Sequence, residues 1–385
     1  MMCGDETRTP MPLRRACRSL AAVALTLPLL ALAPRGPADT AGPAARARPA
    51  TDTVLSLLVA RGGVRAGALL AQDPTGTHFA HAEADSALTS TSTGTGTEPR
   101  SGDSLHPADH FRAGSVTKTF LATVVLQLAA EHRLSLSDAV EDHLPGLVHG
   151  HGNDGRTLTL RSLLTHTSGL ADFTADTEGM VPVTPRQAVR IALTHSPAAP
   201  GRFSYSNTNY VLLGMVVRQV TGDSYADEAE RRILTPLRLT GTSFPGARTT
   251  LPSPHGRAYA ADGSDVTELD PRVAGAAGEL VTTLADLDRF YAALLGGGLL
   301  PPYWLHEMLD TRTAHGVYGS GIYPVTLPCG TTVWGHDGRI PGSYVRTAAT
   351  VDGRRVLTYR VNTDAFADSG LERALLSAEF CVRTP

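Results

Sequence analysis

Hydrophobic positions along this 385-residue chain change period twice, and the changes divide it into three stretches. Asp52 to Ala60 has the spacing of a short amphipathic helix. Val64 to Ala71 and Thr77 to Ala84 alternate as strands, joined by Asp73-Pro74-Thr75-Gly76, a turn by its chemistry. Ala87 to Ser104, which contains Thr-Ser-Thr-Gly-Thr-Gly-Thr, is low in complexity and is expected to be a surface loop. A helix is predicted from Ser115 to about Arg133. Its core, Phe120 to Ala130, is apolar nearly all round, as in a helix held between layers. Helical pieces separated by polar loops continue to about Leu295: Thr159 to Thr165, Pro185 to Thr194, Asn209 to Gly222 and Ala285 to Leu295. Period two then returns in Thr332 to Gly335, Tyr344 to Asp352 and Arg354 to Asn362, with Asp352-Gly353 as a hairpin turn. A last helix is expected over Leu371 to Phe380.

Strands at both ends of the chain and helices between them imply an α+β sandwich. The expected sheet is antiparallel and five-stranded, assembled from both chain ends and flanked by helices, with an all-helical lobe inserted. On this reading the sheet lobe takes residues 50–115 and 296–385, and the helical lobe residues 116–295.

Composition changes the picture mainly at the N-terminus. Arg14, Arg15 and Arg18 precede an apolar run, Leu20 to Ala33, that is broken by Pro28 and soon followed by Pro34-Arg35-Gly36-Pro37. Residues 1–47 are therefore expected to be a secretion leader and linker, and residues 48–385 a secreted, extracellular domain. Arg14-Arg15 invites a twin-arginine reading, but ordinary secretion fits the following residues better. The net charge of −3 and the lack of a basic run past the leader argue against nucleic acid as a partner. No later segment is long and apolar enough to span a bilayer. Of four cysteines, Cys3 and Cys17 lie in the leader, and Cys329 and Cys381 are expected to form a disulfide in an oxidising compartment. No motif calls for a cofactor or a metal. His149-Gly150-His151-Gly152 is expected to be a solvated loop. A monomer is expected.

The basic residues carry the first chemical signal. Of 34 Lys and Arg residues only Lys118 is a lysine. An amine that burial can deprotonate does work that a guanidinium cannot. Ser115 precedes it by three residues, so on a helix the hydroxyl and amine share a face, as a nucleophile and its base would. Tyr205 and Asn207 lie in a loop just before a buried helix, where a phenol can move protons if cations depress its pKa. His336-Asp337-Gly338-Arg339 ends a predicted strand. There Gly338 would let the backbone approach a ligand, and the N–H of Arg339 could join that of Ser115 as an oxyanion hole. His166, before Thr167-Ser168-Gly169, is expected to hold a loop.

Ser115-x-x-Lys118, Tyr205-x-Asn207 and His336-x-Gly338, in this order, resemble the three motifs of the serine penicillin-recognising enzymes. The resemblance runs from about Val54 to Cys381 and is nearest to the secreted D-alanyl-D-alanine carboxypeptidases, which carry a cysteine just before the third motif, as Cys329 stands here. It implies a β-lactamase/transpeptidase-like fold and an acyl-enzyme at Ser115. Lys118 or Tyr205 would be the general base, and Tyr205 would serve the leaving amine. Asn207 would bind the acyl side chain's amide, and His336 would orient Tyr205. The implied activity is first D-Ala-D-Ala carboxypeptidase action on peptidoglycan stem peptides, with β-lactams as covalent inhibitors. Alternatives are an esterase, a D-amino-acid amidase or a β-lactamase, and a penicillin or cell-wall sensor that acylates without turnover. Two departures bear on the substrate. Asp337 stands where the family commonly has a hydroxyl residue, and Thr313 to Gly338 contains no Lys or Arg, leaving Arg339 and Arg346 as the nearest cations in sequence.

Overall fold

The structure is a computed structural model that describes residues 48–84, 104–364 and 369–381. The expected leader and the low-complexity stretch lie largely outside the described residues.

A helix, α1 (Pro49–Gly62), leads into a hairpin of β1 (Ala66–Asp73) and β2 (Gly76–Glu83), with the turn at Pro74-Thr75. The remaining strands of this sheet come from the other end of the chain: β3 (Tyr323–Thr326), β4 (Thr332–Ile340), β5 (Ser343–Thr350) and β6 (Val356–Val361). All pairs are antiparallel in the order β2-β1-β6-β5-β4-β3. The sheet is thus six-stranded where five were expected. The missed strand, β3, is four residues long and contains Pro324, too short for alternation to mark it.

Both faces of the sheet are covered, which is why β6 is buried at all six positions. On one face α1 and α5 (Ser369–Phe380) pack through Leu55, Leu58, Leu375 and Phe380 against Val333, Tyr344, Ala348 and Tyr359. On the other lies the larger core, built on α2 (Thr117–Ala130), α3 (Asn207–Thr221) and α4 (Leu284–Leu295). Twelve of the fourteen residues of α2 are buried, consistent with its lack of a polar stripe. Two details of the expected lobes change. The inserted lobe also holds a short ladder, His149–Gly150 with Asn153–Asp154, and its Val281–Thr282 pairs with Phe111–Arg112 from the stretch assigned to the sheet. A helix over Pro302–Leu309, in the stretch assigned to the sheet, buries Met308 in the helical core.

The register of β4 on β5 is continuous from Val333↔Thr350 to Ile340↔Ser343. Side chains along β4 therefore alternate strictly. Val333 belongs to the α1/α5 face and Trp334 to the helical face, so His336 and Gly338 face the helical lobe while Asp337 and Arg339 face the other way. His336 also lies inside the strand, not at its end.

Cys329 and Cys381 are disulfide-bonded and tie the β3–β4 turn to the end of α5, closing a separation of 52 residues. Loop-closure entropy assigns such a link about 2–4 kcal/mol. Cys381→Ser should lower the urea midpoint correspondingly, and reduction of the unmutated protein should do the same. An unchanged midpoint would show that α5 docks without the link.

Candidate active site

The short Phe111–Arg112 ladder positions Ser115. Ala113 N–H donates to Leu280 O at 2.7 Å, and Thr117 Oγ1 accepts from Leu280 N–H at 3.0 Å. These bonds draw the Gly275–Val281 segment alongside the serine. The predicted helix begins as a tight 3₁₀ turn, Gly114–Val116, before α2 proper. Gly114 has φ 50°, and a Cβ there would sit 2.8 Å from Arg339 N. A Cβ at Gly338 would lie 1.8 Å from Ala113 O. The two glycines thus let the backbones of β4 and the serine turn touch, so Gly338 serves a chain–chain contact and not the ligand approach expected of it.

Lys118 is fully buried and meets three acceptors. Its Nζ lies 2.9 Å from Ser115 Oγ, 2.8 Å from Asn207 Oδ1 and 2.7 Å from Ala277 O. Burial lowers its pKa to about 7, against the opposing pull of Asp172 and Asp337. Two of the three partners are acceptors only. A neutral amine therefore spends both N–H bonds on Asn207 and Ala277 and turns its lone pair to Ser115. Protonated, it satisfies all three. The same cage fits the amine before and after it takes a proton from Ser115.

Tyr205 OH donates to Ser115 Oγ at 2.8 Å. Its ring keeps an exposed edge, 37 % of the residue. Its pKa is not depressed as expected. Burial of the hydroxyl end, with Asp337, Tyr210 and Asp172 adding to it, holds the phenol well above its usual range despite the bond to Ser115. Tyr205 is thus protonated at neutral pH, whereas the Lys118 amine can lose its proton there.

Asn207 and His336 take positions other than those expected. Asn207 Nδ2 donates to Asp172 Oδ2 at 2.9 Å and to Thr174 Oγ1 at 3.1 Å, so its donors are occupied and its carbonyl is turned to Lys118. The amide holds the Lys118 amine, and its N–H groups are taken by Asp172 and Thr174 and not offered to an acyl chain. His336 does not touch Tyr205. Its Nε2 is 2.8 Å from Tyr318 OH, while Nδ1 meets the Asp337 carbonyl. A carbonyl only accepts, which puts the proton on Nδ1 and makes Nε2 the acceptor from Tyr318. Burial, helped by Lys118 and Arg346 and opposed by Asp337, lowers the His336 pKa to about 4, so the ring is neutral. His166 lies under Tyr205 with ring centroids 4.2 Å apart, and its Nδ1 accepts from Ser206 N–H and Asn209 Nδ2. It holds the Tyr205 loop, as expected of it.

Asp172 has no sequence signal linking it to the site, and Tyr318 enters it as the partner of His336. Asp172 makes an ordinary local turn with Thr174, and only the approach of α3 gives it Asn207. Arg346, one of the two nearest cations in sequence, is completely buried beneath Tyr323 and donates to that hydroxyl. Arg339 is exposed, its guanidinium 5.8 Å from the Tyr344 ring. Among the described residues no group of three or more His, Cys, Asp or Glu could hold a metal ion, and no helix is long and apolar enough to cross a membrane.

Residues 43–380 match the Beta-lactamase family profile. The Bacillus subtilis (strain 168) protein named "Putative penicillin-binding protein PbpX" is 31% identical over 222 residues, covering 57% of this chain and 54% of that protein. Penicillin-binding protein 4 of Amycolatopsis lactamdurans is 35% identical over 207 residues, 50% of this chain and 52% of its own length. The chain thus spans about half the length of these curated relatives. Two solved structures are covered almost end to end. The D-stereospecific amidohydrolase from Streptomyces sp. superposes with a TM-score of 0.76 at 38% identity, over 87% of this chain and 99% of that one. The D-amino acid amidase from Ochrobactrum anthropi SV3 gives 0.71 at 28%, over 86% and 97%.

A lone pair on Lys118, 2.9 Å from Ser115 Oγ, is placed to take the serine's proton, and below the amine's pKa that lone pair is lost. The rate of Ser115 modification by a serine-directed phosphonate should therefore fall about tenfold per pH unit below pH 7 and level off above it. Lys118→Ala should remove both the rate and the limb. A flat profile from pH 5 to 8 would count against Lys118 as the base.

Proposed function

This chain belongs to the Beta-lactamase family, and we propose that within it the protein is an exported serine amidohydrolase acting on amides of D-amino acids. The observation that carries the reading is the Ser115–Lys118–Tyr205 cluster, in which one hydroxyl lies within hydrogen-bonding distance of a neutralised amine and a protonated phenol. Ser115 Oγ attacks the amide carbonyl as Lys118 Nζ takes its proton. The N–H groups of Ser115 and Arg339, brought together by Gly114, receive the oxyanion. Collapse breaks the C–N bond. The leaving nitrogen takes the Tyr205 proton, and the proton on Lys118 returns to the phenolate. Water then attacks the ester, giving its proton to the same pair, and Ser115 is released with the acid product. Export is supported by the Cys329–Cys381 disulfide.

The choice of amides of D-amino acids over a C-terminal D-Ala-D-Ala carboxylate rests on polarity. Arg346 is shut beneath Tyr323, while Asp337, at the open end of β4, keeps a side chain 37 % exposed. The end-to-end likeness to the two D-specific amide hydrolases supports the same choice. The carboxypeptidase reading keeps the support of the penicillin-binding relatives, which match about half their length.

D-Phenylalaninamide should be hydrolysed at least about tenfold faster than its L-enantiomer, with Ser115→Ala lowering kcat about 10⁴-fold or more. Equal rates on the enantiomers would overturn the stereochemical reading. Intact mass after benzylpenicillin separates the second reading, because a stoichiometric adduct on Ser115 with no amide turnover would favour a carboxypeptidase or sensor.

A further inference from the structure

A cavity of about 430 Å³ lies in the helical lobe, within the size range of small-molecule sites. None of Ser115, Lys118, Tyr205 and Asn207 lines it. The helix over Pro185–Ala192, α3 and the turn at Gly275–Glu279 contribute to its walls. These are mainly apolar, with Phe173, Ala188, Val211, Met215 and Ala276 among them. Phe173 stands between Asp172 and Thr174, which take the donors of Asn207, and Ala276 precedes Ala277, whose carbonyl accepts from Lys118. The cavity therefore abuts the back of the Lys118 cage.

One ionisable group interrupts the apolar lining from inside. Glu279 lines the cavity yet is only 4 % exposed. Tyr225 OH donates to its Oε1, and the Gly246 N–H also bonds the carboxyl. Both partners are donors, an arrangement that suits a carboxylate. A buried carboxylate also needs a counter-charge, and Glu279 has no ion pair among the described residues. Burial accordingly holds its pKa above the usual carboxylate range, against both bonds. The other two charged residues of the lining, Arg218 and Arg272, are exposed, and Arg272 is already bound to Asp270.

We propose that this cavity is a second binding site, separate from the Ser115 cleft, for a small apolar molecule that carries one ammonium group. The ammonium supplies the counter-charge that Glu279 lacks, while Tyr225 and Gly246 keep their bonds to the carboxylate and the apolar body packs against Phe173, Val211 and Met215. Glu279 gives up its proton to solvent as the ammonium arrives, so the buried site stays neutral. An apolar carboxylate would instead bring a second acid to Glu279, with exposed Arg218 as its only unpaired cation in the lining. Binding here does not depend on acyl transfer at Ser115.

The test is calorimetric affinity of the full chain for 2-phenylethylamine, 2-phenylethanol and phenylacetate at pH 7. The amine should bind at least about tenfold more tightly than the alcohol, and phenylacetate most weakly. Glu279→Gln should bring amine and alcohol to within about twofold of each other. Ala226→Trp, which adds a large ring to the lining, should abolish binding of both. Should Glu279→Gln fail to fold, the unmutated protein supplies a second measure. Glu279 holds its proton at low pH, so the amine should bind about tenfold more weakly at pH 4 than at pH 7, with the alcohol unchanged. Of the other titratable groups in the lining, the Tyr225 phenol is held well above its usual range and a guanidinium keeps its charge, so neither adds to that change. Tightest binding of phenylacetate, lost in Arg218→Ala, would overturn the proposal in favour of the exposed arginine. Amine binding that survives Ala226→Trp but is lost once Ser115 carries a phosphonate would place the ligand in the catalytic cleft and overturn it too. So would the absence of amine binding at millimolar concentration.

Discussion

Burying an amine is the demand around which the rest of this molecule is arranged. An ammonium moved from water to a protein interior costs several kcal/mol unless every N–H finds an acceptor. Lys118 meets that demand with Ser115, Asn207 and Ala277, which come from three different segments. For the amine to sit there, α2 must enter the interior at its N-terminal end. The Gly275–Val281 segment must be pulled in by its bonds to Ala113 and Thr117, and α3 must begin with its amide facing inward. Asp172 fixes that amide by occupying its donors. Moving any one of these segments would leave a buried donor unpaired, so the cage holds the lobes in register as well as keeping the amine beside Ser115.

The second constraint is a close contact between backbones. Ala113-Gly114 lies against Gly338-Arg339 so closely that neither glycine has room for a Cβ. This contact brings the Arg339 N–H beside the serine turn, and it makes a short edge of β4 a wall of the cleft. Covering that edge with β3 would block the cleft, and β3 ends at Tyr323↔Gly335. The strand too short to show in the sequence therefore marks where the cleft begins.

Polarity sets the site's character. Two carboxylates, Asp172 and Asp337, act on Lys118, and the base is kept near neutrality because burial wins over both. Asp172 is spent on Asn207, whereas Asp337 faces outward from the Tyr323–Arg346 pair.

Much of this was legible along the chain. A single lysine three residues after a serine, followed by a helix with no polar face, marks a buried amine beside a hydroxyl by composition and periodicity alone. Alternation marked β1, β2, β5 and β6, whose side chains repeat every second residue over six or more positions. What the sequence by itself determined is therefore local: which residues share a helix face, which alternate, and which types of group are present. Tertiary structure decided who meets whom. It gave the donors of Asn207 to Asp172 and not to a ligand, paired His336 with Tyr318 and not with Tyr205, and placed Gly338 against Ala113. It also raised the Tyr205 pKa, because desolvation depends on what surrounds a group in space. Hydrogen-bond partners and local dielectric arise from segments far apart in sequence, and no local pattern encodes which of them will meet.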